Sequence, residues 1–162
     1  LIVFRTHVGR TRKVDSETGE VTWPGYVSIF TGEPFTGRDK YPKQGVGEGV
    51  TDEGGPILYA ITTGFVEHVM NGKFNGTVIV MMGCDGLLSS QTAKVFLDKG
   101  ASAFIGWNDY VTASHTDAST NLLLDKLFTQ RQPVAEAVAQ TAGEMGPDPW
   151  FGSQLQVMIS DG

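Results

Sequence analysis

From residue 57 onward, short apolar runs rich in β-branched residues alternate with stretches of helical period, and this alternation constrains the fold more than any other feature. "ILYAIT" (57–62) reads as a strand, "GFVEHVMNG" (64–72) as a short helix and "TVIVMMG" (77–83) as a second strand. Ser89 or Ser90 is placed to N-cap a helix over "QTAKVFLDK" (91–99), which Gly100 ends, and "SAFIGW" (102–107) is the next strand. Ser114 or Thr116 is placed to cap a further helix, in which Leu123, Leu124, Leu127 and Phe128 recur at helical spacing. Pro133 suits the first turn of another helix, "PVAEAVAQTAGEM", which "GPDPWFG" stops before the last strand, "LQVMIS" (155–160). Strands separated by helices join through right-handed crossovers, so the expected class is α/β, a mostly parallel sheet with helices on both faces.

The first third of the chain is less regular. Residues 1–6 read as a short buried strand, and 8–56 as a long insertion rich in glycine and charge. That insertion holds one clear strand, "GYVSIF" (25–30), and is expected to be partly ordered around a hairpin from Trp23 to Phe30. Its segment "GVGEGVTDEGG" (45–55) lacks the Lys-Ser/Thr ending of a phosphate loop, and Glu48, Asp52 and Glu53 repel phosphate, so it reads as a flexible linker. A length of 162 residues fits a single domain over 1–162. With 18 acidic against 12 basic residues, and the basic ones forming no continuous stripe, neither nucleic acid nor a membrane surface is an expected partner. No apolar run approaches bilayer length. The opening "LIVFRT" starts within a strand pattern, so a preceding segment of the same precursor is a further expected partner.

"VIVMMGCDGL" (78–87) runs a buried-type strand into a cysteine with glycine on either side of the Cys84–Asp85 pair. Cys84 is the only cysteine of the chain and has no disulfide partner within it, so it is either a small buried hydrophobe or a reactive thiol. In open parallel sheets, functional groups sit just past the carboxyl ends of strands. The first strand delivers His7 to such an end, and "VIVMMG" delivers Cys84 to another. A thiol nucleophile needs a base nearby, which makes the two a candidate dyad.

The ordered pattern of strand, His7-Val8-Gly9, strand, Gly83-Cys84-Asp85-Gly86, helix, "AFIGWND" and capped helix resembles the caspase-hemoglobinase group of cysteine peptidases. That group includes caspases, legumain, gingipains and clostripain, and the likeness is nearest to its archaeal-type caspase-like domains. It spans residues 1–7 and 57–130. The resemblance implies a thiol protease acting on a polypeptide substrate, with no metal or organic cofactor in the chemistry. Cys84 would attack the peptide carbonyl, His7 would serve the leaving amine as general acid, and the backbone N–H groups of Cys84 and Val8 would hold the oxyanion. The chain departs from the family pattern in three places. His7 is followed by Val8 where relatives commonly have glycine, two strands that precede the histidine strand in the family fold are not in this sequence, and 77 positions separate His7 from Cys84.

An acidic cleft selects lysine or arginine at the scissile position, and Asp85, Asp109 and Asp117 are the candidates. Asp109 is favoured because in the resembling family the segment after that strand contributes to the primary specificity pocket, and Trp107 is expected to wall the stem of the substrate residue. The simpler reading of each is structural: Asp109 caps a turn after Asn108, and Asp117 sits in the first turn of its helix. Given a basic preference, Arg38, Lys40 and Lys43 in "TGRDKYPKQG" become expected self-cleavage sites. His115 is a second candidate base. Two readings from other classes remain: a binding or scaffold domain with this fold but no turnover, and a thiol redox sensor, for which a resolving cysteine is lacking.

Overall fold

The computed structural model describes residues 1–161 apart from 12, 16, 23–24 and 51–54. In chain order the strands are β1 (Ile2–Phe4), β2 (Val8–Arg10), β3 (Lys13–Val14), β4 (Val21–Thr22), β5 (Val27–Pro34), β6 (Val46–Val50), β7 (Ile57–Ile61) and β8 (Val78–Met81). They are followed by α1 (Ser90–Asp98), β9 (Ala103–Trp107), α2 (Ala113–Leu124), α3 (Val134–Met145) and β10 (Leu155–Ile159). The chain is mixed α/β. One sheet has the order β1-β8-β9-β10, in which β1, β8 and β9 run parallel and β10 lies antiparallel to β9.

The continuous apolar run of β8 reflects burial of both its faces. Ile79 and Met81 join Phe104 of β9 in a cluster with Ala93 and Phe96 of α1. Val80 and Met82 join Ile105 and Trp107 in a second cluster with Leu123 of α2 and Ala137 and Val138 of α3. Adjacent methionines thus serve opposite faces, as the period of a strand requires. Ser89 is the N-cap of α1 and accepts the Gln91 N–H at 3.4 Å, while Gly100, at φ 93°, turns the chain just after the helix in a conformation that disfavours a side chain.

Several expectations are corrected. Helix α2 is capped from outside its own segment: Thr112 occupies the cap position, and its N–H and hydroxyl both donate to the Asp148 carboxylate at 2.8 Å. Ser114 and Thr116 lie inside the helix, and Thr116 is buried, accepting the Trp107 indole N–H and donating to the Met82 carbonyl, both at 3.0 Å. The helix widens over Asp125–Thr129, which leaves Phe128 63% exposed instead of in the core. Strand β1 is an edge strand and not a buried one, with Leu1, Ile2 and Val3 all exposed.

The largest correction concerns residues 8–61. Strand β7 does not join the parallel sheet; it pairs with β5 and β6 in an antiparallel sheet of order β2-β5-β7-β6. The segment read as a linker supplies β6 over Val46–Val50, and its residues 51–54 lie outside those described. A hairpin is present earlier than expected, pairing Lys13 with Thr22 and Val14 with Val21, whereas Trp23 and Pro24 lie outside the described residues. Strand β6 escaped the sequence reading because its glycines carry no alternating apolar signal. Gly49 is required sterically, since a Cβ there would stand 2.7 Å from the Phe30 ring. Val8, Val27 and Ile29 of this sheet pack into the same cluster as Ile79 and Met81, so the two sheets share a core. No helix among the described residues is long and apolar enough to cross a membrane.

Candidate functional site

Parallel pairing of β1 with β8, in the register Ile2↔Ile79 to Phe4↔Met81, brings the carboxyl ends of both strands to one edge of the sheet. The pairing continues one step further, where the Met82 N–H donates to the Phe4 carbonyl at 3.0 Å. His7 and Cys84 each follow their strand by three residues, and both line one cavity of about 260 Å³. Arg5, Thr6, Gly83 and Val111 are also part of its lining. Close approach at its base depends on Gly83: a Cβ there would lie 2.6 Å from the Thr6 carbonyl oxygen and collide with the Val8 side chain.

Cys84 is half-buried. Its sulfur accepts the Val111 N–H at 3.5 Å, and its thiol is placed to donate to the Val111 carbonyl at 3.6 Å. Burial pushes the thiol above its ordinary range, the charges of Asp85 and Asp109 add to that, and the bond from Val111 works in the other direction. His7 is exposed, with its ring 6.4 Å from that of Phe30 and its carbonyl accepting the Phe30 N–H at 3.0 Å. Among the described residues, no side chain hydrogen-bonds the His7 imidazole.

The three candidate specificity carboxylates all have cationic partners within the chain. Asp85 is fully buried and receives Arg10 through Nε at 3.1 Å and a terminal nitrogen at 3.0 Å. The same terminal nitrogen donates to Asp109 at 2.7 Å, and the guanidinium lies 4.9 Å from the centre of the Tyr110 ring. Asp109 also caps its own turn by accepting the Tyr110 N–H at 2.8 Å. Asp117 is held by Arg5 through two bonds of 2.9 and 2.8 Å at the mouth of the cavity. Trp107 does not wall the cavity: its side chain is 1% exposed and sits in the core beneath Thr116. His115 lies apart, its ring 5.2 Å from Trp107 and its Nε2 3.3 Å from the Gly146 carbonyl.

Arg10 is the site residue that sequence reasoning missed. It carries no motif, and its only local signal is a basic side chain three positions after the candidate histidine. Of the expected self-cleavage residues, Arg38 pairs with Glu48 at 3.1 Å, Lys40 pairs with Glu33, and Lys43 has a positive φ of 59°. Among the described residues, no three His, Cys, Asp or Glu side chains are grouped to hold a metal ion. No model of a known protein family matches the chain, and no curated protein or solved structure matches it either.

Proposed function

We propose that the chain is a cysteine endopeptidase of the caspase-hemoglobinase type, acting through Cys84 and His7. One observation carries the reading: the two side chains, from opposite ends of a 77-position separation, line the same cavity at the carboxyl edge of neighbouring parallel strands. The apolar clusters on either side of β8 and β9 support a sheet covered by helices on both faces, as that fold requires. In the reaction, the Cys84 thiolate adds to the scissile carbonyl, the C–N bond breaks as His7 protonates the leaving amine, and water then hydrolyses the thioester. In this reading the Val8 N–H is the second oxyanion donor, although Val8 itself is buried and is not part of the cavity lining. The His7–Phe30 bond places Val8 at a non-hydrogen-bonded position opposite Ile29, which turns its N–H away from β5.

A preference for basic substrates loses its main support, because Arg10 already occupies Asp85 and Asp109 and Arg5 occupies Asp117. The test is hydrolysis of fluorogenic peptides varied at the scissile residue (Arg, Lys, Asp, Asn, Ala) by the native chain, Cys84→Ala and His7→Ala. Turnover abolished in both variants, a loss of at least about 10³-fold, is the expected outcome. Turnover surviving in Cys84→Ala would overturn the reading. The second reading, a binding domain without turnover, is favoured by the raised thiol and the unanchored imidazole. It predicts a native chain silent on every peptide.

A further inference from the structure

We propose that Arg10 is a positioning residue for Cys84, a guanidinium clamp that joins the three loops around the thiol by pairing with Asp85 and Asp109. This rests on the reading of Cys84 as nucleophile. The geometry is specific. Arg10 closes the short β2 that begins one residue after His7, Asp85 directly follows Cys84, and Asp109 precedes by two residues the Val111 whose backbone brackets the sulfur. One side chain therefore ties together the segments that deliver the base, the nucleophile and the backbone partner of the nucleophile. The Asp85 N–H adds a direct link, donating to the Asp109 carbonyl at 3.1 Å.

The clamp also fixes an unfavourable backbone. Asp85 stands at φ 59°, a region that non-glycine residues rarely occupy, and it is held there by the two-pronged bond to Arg10 and by the Leu88 N–H on its carbonyl at 3.0 Å. Cys84 inherits its direction from that turn.

Electrostatically, Asp85 from its own loop and Asp109 from the loop after β9 act on the thiol, Arg10 of β2 is bonded to both of them, and Arg5, His7 and Asp117 share the cavity with it. His115 of α2 faces Gly146 instead. Without Arg10, two carboxylates would stand uncompensated beside a group that must itself become an anion, and both would hold its proton on.

Iodoacetamide alkylation of folded protein across pH measures this directly. Arg10→Gln is expected to raise the pH midpoint of Cys84 alkylation by about one unit and slow the reaction about tenfold at neutral pH. Arg10→Lys, which keeps the charge and loses the fork, should fall between Arg10→Gln and the native chain. Asp109→Asn, a change at a half-exposed side chain, should move the midpoint down. The double variant Arg10→Gln/Asp85→Asn should return it toward the native value. Midpoints unchanged in both Asp109→Asn and the Arg10 variants that fold would overturn the clamp and leave Arg10 a packing residue. If Arg10→Gln does not fold, Asp109→Asn and Arg10→Lys decide alone. Alkylation needs no peptide turnover, so a shifted midpoint in a chain silent on every peptide would retain the Arg10 effect on the thiol and reject the peptidase. A Cys84-dependent peptidase with unmoved midpoints would do the reverse.

Discussion

Asp148 stiffens the rim of the cavity from a distance, through backbone donors it collects from two segments. Its buried carboxylate accepts the Thr112 N–H and hydroxyl at 2.8 Å, the Trp150 N–H at 2.9 Å and the Phe151 N–H at 3.0 Å. Burial pushes the group upward, but those bonds outweigh it and hold the carboxyl at about 2, below its ordinary 3.8. A depressed carboxylate lends stability above its unfolded value, and that stability disappears as the pH falls from about 4 through about 2. Asp148→Asn is therefore expected to cost about 1–3 kcal/mol at neutral pH, with the gap to the native chain narrowing on acidification, as denaturant unfolding at pH 7 and pH 3 would measure. The buried Lys126 offers a contrasting case, donating to Glu144 at 2.7 Å. Glu144→Ala would leave an ammonium unpaired, whereas Lys126→Met removes the charge, so the first should destabilise more than the second in thermal melts.

At the scale of elements, the meeting of β1, β2 and β8 depends on the lack of a side chain at Gly83. Gly83→Ala would push the start of the Cys84 loop off Thr6 and Val8, and is expected to cost about 1–3 kcal/mol while separating His7 from Cys84. A lowered melting temperature together with lost turnover is the expected result; full stability with full activity would show that the loop yields freely. Elements that carry their own instructions were legible in advance. Strand β8 reads as buried because it has no polar face, α1 because a serine, Ser89 or Ser90, starts it and Gly100 ends it, and α3 because Pro133 opens an amphipathic run. Strands β2 and β6 were not legible, since Val-Gly-Arg and Val-Gly-Glu-Gly-Val carry neither an apolar run nor an alternating period.

At the scale of the whole molecule, the outer edge of β1 stands unpaired among the described residues, with Ile2 37% and Val3 38% exposed. Such an edge is a template for pairing, restrained at neutral pH by the net charge of −6 and released near the isoelectric point of about 4.9. Concentrated protein should scatter more light near that pH, and Val3→Lys should suppress the increase; equal scattering by both chains would place the contact elsewhere. The sequence by itself determined the α/β class and the central strands, and it singled out His7 and Cys84 as strand-end residues, which the fold brings to one cavity, because periodicity, caps and strand ends are local properties written in adjacent residues. Only the tertiary structure decided that residues 8–61 build a second sheet, that Trp107 lies in the core, and that the acidic candidates are already matched by arginines. The bonds of Arg10 cross 75 and 99 positions of chain, and pairings of that span follow from which loops the folded sheets bring together, not from the spacing of any residues along the sequence.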